Sequence, residues 1–183
     1  VNDVTGAGDC FLAAFVYGLT QDKTIKECLE LAAKGATQSV KHLGTYKLSK
    51  TDLEDTVVFT NGCFDILHIG HLKLLRHAAT LGKRLIVGIN SDASVKRLKG
   101  ETRPINSEFK RKETLEQLGF IDDVVIFDGD TPIDEITKIR PDVIVKGGDY
   151  TTETTVGNEL AKVVIFPTIE GHSTTETIEK IKQ

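Results

Sequence analysis

The sequence is poor in several residue types. It has no methionine and no tryptophan among its 183 residues, and only four prolines and three cysteines. Since a natural reading frame encodes methionine at its start, we expect the chain to be a piece of a longer protein. Cys10, Cys28 and Cys63 lie far apart and lack metal-ligand spacing, which predicts a reduced, cytoplasmic setting.

Long apolar runs and an excess of positive charge are also missing. No apolar stretch approaches the length of a membrane span, and the first residues do not form a signal peptide. The net charge is -4 without a basic stripe, so neither a membrane nor nucleic acid is an expected partner. The content of 39% hydrophobic and 27% charged residues is typical of a soluble globular protein.

The first fifty residues differ in pattern from the rest. Apolar residues recur there at helical spacing in two runs, which are Phe11, Leu12, Phe15, Val16 and Leu19, then Ile25, Cys28, Leu29, Ala32, Ala36 and Val40. This predicts a helical domain over residues 1–50 and a second domain over residues 51–183.

The second segment alternates between short apolar strands and helices. The predicted strands are 57–60, 84–89, 123–127, 143–145 and 163–166, and the predicted helices are 69–81, 109–118, 133–139 and 175–181. Such alternation predicts an α/β fold with a doubly wound parallel sheet covered on both faces. These sheets bind ligands at the carboxyl ends of their strands, where the strand order reverses.

The densest candidate site follows the first predicted strand, over residues 60–71. Gly62 permits a tight turn, and His68 and His71 stand three residues apart at a helix start, where backbone N–H groups suit phosphate. Two such histidines are also compatible with ordinary surface residues or half a zinc site. Because no third ligand is near except Asp65, the glycines favour phosphate.

The string from Gly62 to His71 resembles the HxGH signature of the cytidylyltransferase-like nucleotidyltransferases, which have a Rossmann-like fold. Residues 88–105, 145–150 and 173–175 are similar to one branch, the heptose 1-phosphate adenylyltransferases. The resemblance implies that a sugar 1-phosphate oxygen attacks the α-phosphorus of ATP in line. Pyrophosphate then leaves without a covalent intermediate, so catalysis consists of positioning and charge neutralisation.

The resemblance also implies roles for individual residues. Catalysis is assigned to His68, His71, Lys96, Lys99 and Arg103, the last three from a mobile loop after the second strand. Nucleotide binding is assigned to Thr60, Asn61, Gly62, Cys63, Phe64, Asp65, Gly70, Asn90, Asp92, Gly147, Asp149, Ser173, Thr174 and Thr175. Contact with the acceptor is assigned to Lys73, Lys146 and Tyr150. Mg²⁺ is expected on the nucleotide phosphates and not on a protein metal site.

Several of these assignments have structural alternatives. Ser91 or Asp92 can equally cap the next helix, Ser173 to Thr175 can cap the last one, and Lys73 can be an exposed helix residue. Related cytidylyltransferases often carry an arginine just before the Ser-Thr segment, where this chain has residues 169–172 without one. That difference weakens a cytidine assignment.

The N-terminal segment carries a second signature. Residues 3–9 resemble the GAGD signature of ribokinase-like sugar kinases, in which Gly6, Ala7 and Gly8 would form an anion hole and Asp9 would act as the base. Because only residues 1–50 match, we expect no kinase activity. The order of the two segments resembles the bifunctional heptose 7-phosphate kinase/heptose 1-phosphate adenylyltransferases, which make ADP-heptose for lipopolysaccharide or related glycans.

The predicted function is therefore transfer of AMP from ATP to D-glycero-β-D-manno-heptose 1-phosphate, in a homo-oligomer that we expect to be a dimer. Two alternatives stay open. One is a cytidylyltransferase acting on glycerol 3-phosphate or a similar phosphate, and the other is a non-catalytic nucleotide-binding module.

Overall fold

The computed structural model describes residues 3–53, 55–148 and 150–167. The chain forms two units, Val1–Asp55 and Thr56–Gln183. Within the described ranges, no helix has both the length and the apolar character needed to cross a membrane.

The first unit consists of α1 (Ala7–Thr20), α2 (Ile25–Ser39) and the short α3 (Lys50–Leu53). Helix α2 begins with a capping box between Thr24 and Glu27. Small side chains let α1 and α2 approach closely, because a Cβ added at Gly18 would lie 2.8 Å from the sulfur of Cys28. The two predicted helices are confirmed.

The second unit is built on a parallel sheet. Its strands are β1 (Val57–Gly62), β2 (Arg84–Asn90), β3 (Asp123–Phe127), β4 (Val143–Gly147) and β5 (Lys162–Phe166), in the order β3-β2-β1-β4-β5. All four pairs are parallel, as predicted. Strands β2 and β3 lie in sequence on one side of β1, whereas β4 and β5 lie on its other side. The strand order therefore reverses between β1 and β4.

Helices cover both faces of the sheet. They are α4 (Ile69–Ala79), α5 (Asp92–Lys99), α6 (Glu108–Glu116) and α7 (Ile133–Ile139). Leu75 of α4 and Leu115 of α6 are buried on one face, and Ile136 of α7 is buried on the other. The valines and isoleucines of the central strands are buried on both faces, which explains their near-continuous apolar runs. The predicted last helix, 175–181, lies outside the described residues.

Helix α5 corrects one prediction. The segment after β2 was expected to be a mobile loop carrying Lys96, Lys99 and Arg103, but the first two of these residues lie on α5. Ser91 caps this helix by accepting a hydrogen bond from the Ser94 N–H at 3.0 Å. Val95, its one fully buried apolar side chain, anchors the helix to the sheet.

Candidate active site

A cleft of about 600 Å³ opens at the carboxyl ends of β1 and β4. Parallel sheets bind ligands at such a point because the neighbouring connections leave in opposite directions and the crevice between them stays open. The cleft is bordered by the β1–α4 turn, by the end of α5 and the loop after it, and by the residues that follow β4. The reversal of strand order therefore positions the cleft.

The turn from β1 into α4 brings two histidines to this cleft. Phe64 adopts the left-handed conformation with φ of 46°, which is uncommon for a residue with a side chain. His68 occupies the N-cap position of α4, and its Nδ1 accepts a hydrogen bond from the His71 N–H at 3.4 Å. Gly70, between the two, also lines the cleft and leaves the helix start accessible. Free N–H groups at such a start suit an anionic ligand.

The imidazoles of His68 and His71 are stacked, with ring centroids 3.7 Å apart and an interplanar angle of 22°. The pKa of His71 is lowered to about 4, mainly by burial and also by the nearby His68, while a contact with the Ile66 backbone opposes the shift. The ring of His71 is therefore neutral near pH 7. Within the described part of the chain, its buried Nδ1 has no hydrogen-bond partner of good geometry, which is costly for a polar atom and calls for a functional explanation.

Asp65 anchors one wall of the cleft. Its carboxylate, 1% exposed, accepts hydrogen bonds from Arg103 Nε at 2.8 Å and from the Ile105 and Asn106 N–H groups. These contacts tie the loop after α5 to the β1–α4 turn and hold Arg103 at the cleft. Asp65 was predicted to bind nucleotide. Its oxygens hold this loop in place, and its contact with nucleotide stays a prediction.

The fully buried guanidinium of Arg111 connects the β1–α4 turn, the end of β2 and the loop after α5. It donates hydrogen bonds to the carbonyl oxygens of Cys63 at 2.7 Å, Asn90 at 2.8 Å and Asn106 at 3.0 Å. It also pairs with the carboxylate of Asp92 at 2.8 Å. The ends of β1 and β2 and the loop bearing Arg103 are thus fixed by one side chain.

Lys146 stands on the β4 side of the cleft. Its Nζ donates hydrogen bonds to Asn61 Oδ1 at 3.0 Å and to the Asn61 carbonyl at 3.3 Å, and it lies 4.3 Å from the centroid of the Tyr150 ring. Burial lowers the pKa of Lys146 to about 8, although the nearby Cys63 favours the charged form. Its ammonium group is therefore charged at pH 7, in surroundings that provide little water.

Two family models match this chain. The model of pfkB family carbohydrate kinases matches residues 1–52. The cytidylyltransferase-like model matches residues 59–180, the segment that carries the cleft and both histidines. The chain belongs to the cytidylyltransferase-like family. The resemblance inferred from the HxGH string and from the N-terminal glycines is confirmed.

Curated relatives match the chain over its whole length. The bifunctional protein HldE of Campylobacter concisus is 46% identical over 213 residues, covering 100% of this chain and 45% of the relative. HldE of Campylobacter jejuni (strain RM1221) is 43% identical over 208 residues with the same coverage. The chain thus spans less than half the length of these relatives. A lipopolysaccharide core biosynthesis protein from Thermoplasma volcanium GSS1 shares the fold, with a TM-score of 0.53 and 24% identity over 64% of this chain and 98% of that chain.

Most predicted residues of this cytidylyltransferase-like domain line the cleft. They are Thr60, Asn61, Gly62, Cys63, Phe64, Asp65, His68, Gly70, His71, Asn90, Lys99, Arg103, Lys146, Gly147 and Tyr150. Asp149, Ser173, Thr174 and Thr175 lie outside the described residues. The thiol of Cys63 is only weakly bonded to Asn90, 3.8 Å away, and burial raises its pKa.

Three predicted residues do not line the cleft. The carboxylate of Asp92 is occupied by Arg111, because Asp92 begins α5 and its side chain turns toward α6. Lys96 is exposed, since only the last turn of α5 reaches the cleft. Lys73 is exposed on α4, in agreement with the alternative that it is an ordinary helix residue.

Sequence reasoning missed other residues. Leu74, Leu98, Asp130, Phe166 and Pro167 also line the cleft. Arg111 was missed as well, although it precedes the buried Leu115 by four residues and so shares its helix face. An arginine on the apolar side of a helix was the available signal.

The side chains at the cleft suit phosphate better than a bare metal ion. Its ionisable side chains are mostly lysine, arginine and histidine, and the described residues contain no cluster of His, Cys, Asp and Glu able to hold a metal.

The kinase-like residues lie in the first unit. Gly6, with φ of 77°, precedes α1, and Gly8 and Asp9 are exposed at its start.

Proposed function

We propose that this chain transfers AMP from ATP to D-glycero-β-D-manno-heptose 1-phosphate, releasing pyrophosphate and forming ADP-heptose. The observation that carries the proposal is the histidine pair at the start of α4, in a cleft at the reversal of strand order. The similarity to bifunctional HldE proteins along the whole chain supports the same assignment. The choice of heptose and of ATP rests on the resemblance of residues 88–105 and 145–150 to heptose 1-phosphate adenylyltransferases.

In this reaction, an oxygen of the acceptor phosphate attacks the α-phosphorus while the pyrophosphate oxygen leaves on the opposite side. The neutral imidazole of His71, together with His68, donates hydrogen bonds to the triphosphate and to the charge that develops on it. Lys99 and the anchored Arg103 neutralise the leaving pyrophosphate. Mg²⁺ carried by the nucleotide phosphates would add further neutralisation.

The test is pyrophosphate release with ATP or CTP against a panel of sugar 1-phosphates and glycerol 3-phosphate. We expect the highest kcat/KM with ATP and the heptose 1-phosphate. Faster turnover with CTP would assign the chain to a cytidylyltransferase. Nucleotide binding without turnover on any acceptor would assign it to a non-catalytic module.

We further propose that residues 1–50 are the C-terminal fragment of a sugar kinase domain without kinase activity. A general base needs a substrate hydroxyl within hydrogen-bond reach, and Asp9 is exposed on a helix start. Phosphorylation of a heptose 7-phosphate by this chain would contradict the proposal. The ADP-heptose formed by the transferase reaction would serve lipopolysaccharide or related glycan synthesis in the cytoplasm.

A further inference from the structure

The loop after β3 is attached to α5 at three successive residues. The attaching side chains begin at the N-cap of α5 and are spaced three residues apart, so they share one side of the helix. The pairs are Ser91 with Asp128, Ser94 with Gly129 and Arg97 with Asp130. Two hydroxyls and a guanidinium thus donate hydrogen bonds to the loop and hold it in one position relative to α5.

Asp130 presents a carboxylate to the cleft. Of the three attached loop residues, it alone lines the cleft. Its Oδ1 accepts a hydrogen bond from Arg97 Nε at 2.9 Å, and its side chain is 59% exposed. Within residues 3–53, 55–148 and 150–167, its Oδ2 accepts no hydrogen bond. One oxygen therefore fixes the orientation of the carboxylate, and the other is available to a ligand.

A carboxylate differs from most ionisable groups of this cleft. The side chains that suit phosphate are those of His68, His71, Lys99, Arg103 and Lys146. The other carboxylate among the described lining residues, that of Asp65, holds the loop after α5. Asp130 repels phosphate oxygens, and Arg97 already balances its charge, so neither an anion nor a metal ion is its best ligand. The ligand that fits is an uncharged hydrogen-bond donor.

We infer that Asp130 is a specificity residue of the transferase, whose open oxygen accepts a hydrogen bond from a sugar hydroxyl of a bound substrate. The inference rests on the proposed function, in which both substrates carry such hydroxyls, on the ribose of ATP and on the heptose. Because α5 holds the loop before the substrate binds, little ordering opposes this hydrogen bond. The carboxylate thereby selects for substrates that have the hydroxyl.

The first test compares Asp130→Ala with Asp128→Asn. Both remove a negative charge from the same loop, and the Asp128 carboxylate lies 3.8 Å from the Arg97 guanidinium but does not line the cleft. We expect Asp130→Ala to lower kcat/KM for pyrophosphate release about tenfold or more, the usual loss for a charge-assisted hydrogen bond. Asp128→Asn, which keeps an acceptor for Ser91, should stay within about twofold of the wild type. Asp130→Asn should lose less than Asp130→Ala because it keeps one acceptor oxygen.

Substrate analogues that lack one hydroxyl identify the donor. They are 2′-deoxy-ATP, 3′-deoxy-ATP and heptose 1-phosphates from which single hydroxyls have been removed. With one of these analogues, the wild type should lose about tenfold in kcat/KM, whereas Asp130→Ala should not distinguish that analogue from its parent. A nucleotide analogue with this pattern assigns Asp130 to the ribose, and an acceptor analogue assigns it to the heptose.

Three kinetic results would overturn the inference. Equal losses by the wild type and Asp130→Ala with every analogue would mean that no sugar hydroxyl donates to Asp130. A loss of discrimination only against inosine triphosphate, which lacks the amino group of adenine, would assign Asp130 to the base. Recovery of Asp130→Ala at raised Mg²⁺ concentration would assign it to the metal ion.

Calorimetry separates this inference from the proposed function, because binding needs no turnover. The wild type should bind ATP or the heptose 1-phosphate more tightly than the corresponding deoxy analogue, and Asp130→Ala should bind the two alike. If this preference is present while no acceptor supports pyrophosphate release, the proposed function fails and the role of Asp130 in binding still holds. If the wild type binds every analogue as tightly as its parent, the inference about Asp130 fails alone.

Discussion

The two units of this chain bury their apolar residues in different ways. In the second unit, β1, β2 and β4 are enclosed by helices, and large side chains such as Phe59, Leu75 and Ile144 are inaccessible to solvent. In the first unit, the contact between α1 and α2 is made by small residues, and Leu12, Val16 and Leu19 stay exposed on one face of α1. A domain that completes its own core can hold a precise site, whereas a helical pair with an open apolar face has not completed its core.

The comparison predicts that the largest loss of stability follows substitution of Arg111, which lies between the core of the second unit and the cleft. Arg111→Met removes the donors of three backbone carbonyls, those of Cys63, Asn90 and Asn106, and the partner of Asp92. We expect a loss of about 3 kcal/mol or more in the free energy of unfolding, measured by urea denaturation. Pyrophosphate release should fall as well, because the loop that holds Arg103 loses its anchor.

Lys110→Met is the matched control, since it removes an exposed cation from the neighbouring position on α6. Its free energy of unfolding should stay within about 0.5 kcal/mol of the wild type. Equal stabilities for the two variants would mean that the buried guanidinium does not hold the site together.

The next largest effect is expected on turnover, in variants of the histidine pair. His71→Ala and His68→Ala should each lower kcat by about 100-fold, the usual loss when a preorganised donor is removed. Both side chains line the cleft, so His71→Ala should change the melting temperature little, whereas His68→Ala also removes the N-cap of α4 and should lower stability by about 1 kcal/mol. Since burial holds the pKa of His71 near 4, kcat should not depend on its protonation between pH 6 and 8, where the ring is neutral.

Lys73→Ala, on the same helix and exposed, should keep wild-type kcat. Near-normal turnover in either histidine variant would contradict the mechanism. Unfolding of the variants would instead support a structural role for the pair.

The same contrast explains how far the sequence could predict the structure. The strands were predictable because each is a short run of valine and isoleucine, and the histidine site because its glycines and imidazoles are adjacent in sequence. Helix α5 was not, since it has only eight residues, most of them polar, and Val95 is its one fully buried apolar residue. The roles of Asp65 and Arg111 depend on partners 38 to 48 residues away, as in their bonds to Arg103 and Cys63. Spacing along the chain does not reveal such contacts.

Glycine substitutions in α1 test the contact between the helices of the first unit, and we expect a smaller effect from them. A Cβ at Gly18 would lie 2.8 Å from Cys28 Sγ, whereas a Cβ at Gly8 would meet nothing within 4 Å. Gly18→Ala should therefore force α1 and α2 apart at a cost of about 1–3 kcal/mol, partly offset by better helix propensity. Gly8→Ala should stabilise α1 slightly. Hydrogen exchange of the α1 and α2 amides measures both changes, and kcat for pyrophosphate release should stay unchanged in each variant.

Faster exchange in α1 together with a lower kcat would mean that the first unit supports the transferase site. Equal exchange in the two variants would mean that the close approach of the helices is not a stabilising contact.

The smallest expected effect concerns the open face of α1. Leu12, Val16 and Leu19 recur at helical spacing with 62%, 48% and 44% of their surface exposed. An apolar stripe of this kind favours association, which is the basis for expecting a homo-oligomer. Replacing Leu12 and Val16 by Gln should lower the mass measured by light scattering and leave kcat unchanged. Asp9→Asn, also exposed on α1, should alter neither quantity. An unchanged mass for the double variant would show that the stripe does not mediate self-association.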